Sequence, residues 1–404
     1  MTTPQRPYDL TVVGGVYRFH WHAAQVHITV ERIKETTRQA PTAEIRISAY
    51  PEGHLHLTTL NLLATRSRNE VARYCADRGN MLERDWSAII EEMCVAVLDR
   101  WRQGEPVVRL GEVNPTSEPP WRLEPLLMDS EACLLYGEGG IGKSYVAALC
   151  GVLVDQGMTF GKLRPIRGRV LYLDYETGRD VTARRINALQ AGFGIDEPSN
   201  ILYRFCWQPV AAEAAELQRI VAENDIELVI IDSAGPACGG EPEAASSAIS
   251  YFTALRSLHV TSLTIAHRSK GAGAIGPFGS VYWVNYPRST YELKKSQHEG
   301  ENSIHVALMH RKANEGRLQS SISYKFEFNG NSVRVGMETL EDVPDFFDDM
   351  PLAERMKATL RTQGATTVRE LAETLGANQR SIQVMLSRDS QFVKQGNNTW
   401  GVNG

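Results

Sequence analysis

The sequence predicts an α/β chain: a mostly parallel sheet flanked by helices, with a small α+β module before it and three helices plus a hairpin after it. Three observations carry this. Short apolar runs alternate with helical ones between about Trp121 and Glu338, the pattern of strand–helix–strand units whose strands are covered on both faces. Prolines 106, 115, 119, 120 and 125 crowd the stretch before it, and an acidic, proline-containing stretch, 341–351, follows it. At 404 residues the chain is also too long for one ordinary core, since domains run to roughly 100–200 residues. The divisions are therefore 1–104, a linker 105–120, 121–338, an acidic linker 339–350, and 351–404.

In the first block Val26, Ile28 and Val30 are spaced by two, as are Ile45 and Ile47, so 26–33 and 44–48 are half-buried strands. Pro51-Glu52-Gly53 turns the chain into a return strand, 54–60, with Leu55 and Leu57 on one face. The period then changes. Trp86, Ile89, Ile90, Met93, Val97 and Leu98 share a helical face, which predicts an amphipathic helix over 82–102. His20 and His22, and His54 and His56, form two pairs spaced by two. Four converging imidazoles would hold zinc; surface histidines of a sheet are the simpler account. The block is expected to be an interaction module.

The second block carries the chemistry. Gly137-Glu138-Gly139-Gly140-Ile141-Gly142-Lys143-Ser144, followed by Tyr145, matches the phosphate-binding pattern G-x-x-x-x-G-K-[ST] in full. An apolar strand, 133–136, precedes it and a helix from Ser144 follows. Glycines let backbone N–H groups turn inward on phosphate oxygens, and the helix N-terminus adds its dipole. Lys143 brings positive charge to the β- and γ-phosphates, and Ser144 places a hydroxyl on Mg²⁺. ATP and Mg²⁺ are the expected ligands. Downstream, the apolar run 227–231 ends in Asp232, a carboxylate suited to the Mg²⁺ shell. The run 169–173 leads into Asp174-Tyr175-Glu176. Alternation along a strand puts both carboxylates on one face, and Glu176 is the candidate base for the attacking water.

With the loop, Glu176 and Asp232 in this order, the chain resembles the RecA-like ATPases. Within them it resembles the RepA-type hexameric replicative helicases of plasmids and related phage and mobile-element ATPases. The resemblance covers about Trp121 to Glu338 and leaves out the first block. It rests further on Leu263-Thr264-Ile265-Ala266-His267-Arg268-Ser269-Lys270, on Gly279-Ser280 with the later Arg288, and on His310-Arg311-Lys312-Ala313-Asn314-Glu315-Gly316-Arg317. It implies that His267 senses the γ-phosphate. It implies that Arg311 or Lys312, with Arg317 as a third candidate, reaches into a neighbouring copy's site. It also implies that the small-residue loop 270–279 lines a pore where Lys270 and Arg268 contact single-stranded nucleic acid, in a homo-oligomeric, hexameric ring.

In the third block 352–362, 368–375 and 380–388 are expected helices, with Thr367 and Asn378 as N-caps. Segments 391–394 and 399–402 flank Gly396-Asn397-Asn398, a hairpin signal. The outline is that of a winged helix-turn-helix. Its seven Lys and Arg stand against four Asp and Glu. With Ile382 and Leu386 inward, Gln379, Arg380, Gln383 and Ser387 face out, so the module is expected to bind duplex DNA or a protein.

The net charge of −5 excludes a broadly basic protein, so nucleic acid must meet a local patch or an assembled channel. The six cysteines (75, 94, 133, 150, 206 and 238) include no Cys-x-x-Cys pair, which fits reduced thiols. Neither a signal peptide nor a run of about 18 apolar residues is evident, so the expected location is cytoplasmic, with no membrane partner. The function expected is an ATP-hydrolysing, ring-forming translocase or helicase on single-stranded DNA in replication or a mobile element. The alternative is an ATP-dependent DNA-binding loader, recombinase-like or regulatory ATPase without unwinding activity.

Overall fold

The structure, a computed structural model, describes residues 6–36, 39–79, 81–104, 107–112, 120–269, 276–396 and 398–403. The chain begins with an antiparallel meander of five strands in order: β1 (Asp9–Val13), β2 (Val16–Trp21), β3 (Val26–Thr36), β4 (Gln39–Ala49) and β5 (Gly53–Asn61). Two helices, α1 (Thr65–Arg78) and α2 (Trp86–Gln103), cover it. The period-two residues of β2, β3 and β4, among them Phe19, Ile28, Val30, Ile45 and Ile47, meet Ile89, Met93 and Val97 of α2 in one core. Asp85 starts α2 by accepting the N–H of Ala88.

Leu55 and Leu57 do not share a face: Leu55 is buried and Leu57 exposed. The pairing of β4 with β5 slips between Ile47 and Ser48, and such a bulge turns the strand so that the alternation breaks. Nor do the four histidines converge. Two strands, β3 and β4, separate β2 from β5; His20 stacks on His27, and His56 packs on Tyr74.

The central domain opens with β6 (Trp121–Glu124) and β7 (Leu127–Met128), then β8 (Ala132–Gly137) and α3 (Lys143–Gln156). There follow β9 (Arg164–Pro165), β10 (Arg169–Asp174), α4 (Arg179–Phe193), β11 (Leu202–Phe205) and α5 (Ala214–Glu223). Next come β12 (Ile226–Asp232), α6 (Ala234–Ala237), α7 (Ala245–Arg256), β13 (Thr261–His267) and α8 (Tyr282–Asn285). The domain ends with β14 (Ser289–Ser296), β15 (Ser303–Ala313), β16 (Ile322–Asn329) and β17 (Ser332–Glu338). The main sheet runs β11-β10-β12-β13-β8-β14-β15-β16-β17. Its first six strands are parallel and the last three continue it antiparallel.

The antiparallel half closes over α3. Residues of α3 from Val146 to Val154 are buried on every side, against Val170 and Ile230 of the parallel half and Tyr324, Phe326 and Val333 of the other. A helix that is apolar all round belongs in such a sheath. The loop at its N-terminus is therefore mounted on the most enclosed element of the domain.

The stretch expected as an acidic linker, 339–350, instead packs down. Leu340, Val343, Phe346 and Met350 form a small core with Ala307, Met309 and Ala358, because its acids alternate with apolar residues that have a sheet to cover. Beyond it lie α9 (Leu352–Gln363), β18 (Thr366–Thr367), α10 (Val368–Leu375), α11 (Gln379–Arg388), β19 (Phe392–Lys394) and β20 (Thr399–Val402). The three strands form a sheet in the order β18-β20-β19. Thr367 and Glu370 make a reciprocal capping box at the start of α10, and the Asn378 side chain accepts the N–H of Arg380. No helix among the described residues is long and apolar enough to cross a membrane.

Candidate functional site

Parallel strands deliver their loops to one edge of a sheet, and the ends of β8, β10, β12 and β13 meet there. They surround a cavity of about 420 Å³ lined by Gly140, Gly142, Lys143, Ser144, Tyr145, Glu176, Asp232, Ser233 and His267, among others. The loop between β8 and α3 needs its glycines. Gly140 and Gly142 have φ of 71° and 91°, where a side chain is strained. A Cβ on Gly137 would stand 2.3 Å from Ile141 and 2.8 Å from the Leu293 carbonyl oxygen. Glu138, Gly139 and Gly140 are exposed on the loop, and Ile141 is tucked under it. The Lys143 ammonium donates to the carbonyls of Gly137 at 3.0 Å and Glu138 at 2.5 Å. Burial lowers its pKa, against the pull of Asp232, Glu176 and Glu138.

Asp232 ends β12 in a buried position and accepts the Tyr172 hydroxyl at 2.7 Å. Burial raises its pKa, while hydrogen bonds from Tyr172 and Ser144 draw it back. A hydroxyl and a buried carboxylate side by side suit Mg²⁺, which takes one or two protein oxygens and leaves the rest to phosphate and water. A cation there also relieves the carboxylate's unmet charge.

Asp174 and Glu176 do not share a face. β10 ends at Asp174, so strand alternation stops before Glu176. The Asp174 carboxylate turns into its own loop. It accepts the N–H groups of Glu176, Thr177 and Gly178, and the hydroxyls of Thr177, Thr182 and Tyr203. Glu176 turns to the cavity, where the Ser233 hydroxyl donates to it. Asp174 thus organises the loop and Glu176 faces the cavity.

His267, at the end of β13, pairs in register with Gly137 and lines the same cavity. The cavity also has a wall that the motifs did not announce: Arg185 of α4, Gln297, Ile304 and Phe328. The Arg185 guanidinium lies 5.2 Å from the Tyr145 ring centre, and Tyr145 meets Phe328 edge-on at 5.2 Å. Arg185 Nη1 is buried with no hydrogen-bond partner among the described residues. Arg185 lies within a helix otherwise read by its apolar face, so nothing in the sequence marks it.

The three cations expected to act in trans lie elsewhere; none lines the cavity. Lys312 is engaged within its own chain. Its ammonium donates to the carbonyls of Val284, Asn285 and Pro287 at 2.8, 2.7 and 2.5 Å, which uses all three of its donors on α8 and the turn after it. Arg311 is held by Glu292 and keeps 42% of its side chain exposed. Arg317 is exposed in the turn between β15 and β16. Arg268 stands 3.5 Å from Glu292 and 4.0 Å from Glu138; Lys270 lies outside the described residues. Arg380 and Gln383 are exposed on α11, with Ile382 and Leu386 buried beneath. Among the described residues no group of three or more His, Cys, Asp or Glu is arranged to hold a metal ion.

Residues 99–273 match the model of a family described as an AAA domain. The match takes in the phosphate loop, Glu176, Asp232 and His267 and stops before β14. Among solved structures, a KaiC-like protein of the hyperthermophilic archaeon Pyrococcus horikoshii OT3 is similar, with 18% identity and a TM-score of 0.38 over 52% of this chain and 93% of that one. No curated protein matches the chain. The matched residues lie mostly in the central domain, the one that carries the mostly parallel sheet and the phosphate loop.

Proposed function

We propose that the protein is an ATP-driven, ring-forming translocase or helicase acting on single-stranded DNA in replication or a mobile element. The observation that carries this is the composition of the cavity. The phosphate loop, a Ser144–Asp232 pair fit for Mg²⁺ and the Glu176 carboxylate converge on it, while Arg311 and Arg317 stand outside it. A cation supplied by a neighbouring copy completes such a site and makes hydrolysis depend on assembly.

Mg²⁺, held by Ser144 and Asp232, would supply charge neutralisation on the phosphates. The residues do the rest. Loop N–H groups and Lys143 bind and orient the triphosphate. Glu176, held by Ser233 and by the Asp174 turn, accepts a proton from the attacking water. His267, between the loop and β12, reports the phosphate to the segment that follows, whose residues from Lys270 to Ile275 lie outside the described structure. The assembly proposed is a hexameric ring. The exposed face of α11 supports a winged-helix role for the C-terminal module, in contact with duplex DNA or a protein. That face also favours a second reading, a DNA-binding loader or regulatory ATPase that switches without unwinding.

Strand displacement on a forked substrate, beside native mass measurement with ATP and single-stranded DNA, tests both readings. ATP-dependent unwinding by a ring-sized species supports the first. DNA-stimulated hydrolysis without unwinding replaces it with the second, and failure of the purified protein to bind any nucleoside triphosphate with Mg²⁺ removes both.

A further inference from the structure

A line of alternating charge runs from the phosphate loop to Arg311. Glu138, in the loop, stands 4.0 Å from Arg268. Arg268 stands 3.5 Å from Glu292, whose other oxygen accepts Arg311 Nε at 2.8 Å and lies 2.8 Å from Nη2. Glu292 is the hub. Its side chain is 7% exposed, in the middle of β14, opposite Tyr136 of β8 and Met309 of β15. An arginine stands at each of its oxygens, as a buried carboxylate requires. One comes from the end of the sensor strand β13, directly after His267. The other comes from β15. Arg311 donates Nε to Glu292 and Nη2 to Met309 Sδ at 3.1 Å, and 42% of its side chain stays exposed.

Resting on the reading of Arg311 as the cation that serves a neighbouring copy, we propose that Glu292 is a positioning residue that sets the posture of Arg311 and joins it, through Arg268, to the phosphate loop of its own chain. Phosphate at the loop adds negative charge beside Glu138 and Arg268. Arg268 drawn toward that charge gives up part of its hold on Glu292, and Glu292 then grips Arg311 alone. Each copy's ligand state thereby adjusts the cation it presents to the next. The coupling runs through a contiguous set of charges, and its second arrangement, with Arg268 turned to the loop, is the one that bound phosphate favours.

The test uses the full-length protein with Glu292→Gln, which keeps the volume and one acceptor oxygen, beside Glu292→Asp, which keeps the charge. Hydrolysis is followed against ATP concentration with single-stranded DNA present. Glu292→Gln should lower kcat about 10- to 100-fold, the scale of a misplaced reacting group. KM should move by less than about threefold, because the residue touches no part of its own cavity, and Glu292→Asp should regain part of the lost kcat. A mutant cycle separates this from a merely structural effect. In an Arg311→Lys background the Gln change should cost less than about twofold more, since coupled sites do not add.

A Glu292→Gln protein with unaltered kcat overturns the proposal, and so does full additivity in the cycle. If the Gln variant does not fold, Glu292→Asp takes its place in the cycle, and additivity there is equally decisive. Undiminished hydrolysis by Arg311→Ala would instead remove the trans-cation reading on which the proposal rests, so the two failures are distinct.

Discussion

Asp174 and Glu176 show how two like residues, two positions apart, take opposite tasks. Once β10 stops, direction is set by hydrogen bonds rather than by pleat. Six donors draw Asp174 into the loop, and burial of its carboxylate is outweighed so that its pKa falls. Glu176→Gln should therefore keep ATP binding and lower single-turnover hydrolysis about 10²- to 10⁴-fold, the usual worth of a general base. Hydrolysis at the normal rate would refute the assignment. Arg185 invites a second test. A buried guanidinium nitrogen without a hydrogen-bond partner among the described residues, in a cavity fit for a triphosphate, gains most when an anion arrives. Arg185→Ala should weaken ATP affinity about tenfold, equivalent to about 1.4 kcal/mol, as measured by titration with a fluorescent nucleotide. Unchanged affinity would make it a packing residue against Tyr145.

At the scale of elements, the ends of helices carry their instructions in a few residues. The Thr367–Glu370 box opens α10 and Gly376, with φ of 59°, closes it. Thr367→Ala should cost about 1 kcal/mol, seen as a lower thermal midpoint of the C-terminal transition. The same box predicts an acid response. The Thr367 N–H, with the Thr366 and Thr367 hydroxyls, lowers the Glu370 carboxyl from its ordinary 4.5 to about 2. A carboxyl whose pKa falls on folding stabilises only while ionised. Its contribution is whole above pH 4.5 and drains away as the pH falls toward about 2. Melting of the wild type and Glu370→Gln across that window should converge at the acid end, where the wild-type carboxyl is also neutral; a constant gap would show that the box does not act through its charge.

Over the whole molecule, legibility follows the range of the forces involved. The phosphate loop, its strand and its helix could be read because local backbone needs dictate glycine, lysine and hydroxyl at fixed spacing. The N-caps Thr367 and Asn378 were legible for the same reason. The wall made by Arg185, Gln297 and Phe328 was not, because it exists only when the antiparallel strands curl over α3. β14, β16 and β17 carry mixed burial patterns that announce neither partner nor curvature. Likewise Lys312 looked like a free cation until α8 brought three carbonyls to it. The packing of 339–350 onto β15 depended on a surface that only the completed sheet provides.

The N-terminal meander touches the central domain at a point where backbone meets backbone. Gly14, with φ of 55° in the β1–β2 turn, lies so close to α5 that a Cβ would stand 2.6 Å from the main chain at Gln218 and Arg219. Arg18 and Glu223 latch the same junction at 2.8 Å, and α5 leads directly into the strand that ends in Asp232. A single methyl group there is a wedge: Gly14→Ala should pry the meander from its seat and expose the 14–15 turn to protease, while the phosphate loop and Asp232 stay in place. Wild-type protection of that turn would mean the seat yields more readily than its spacing implies.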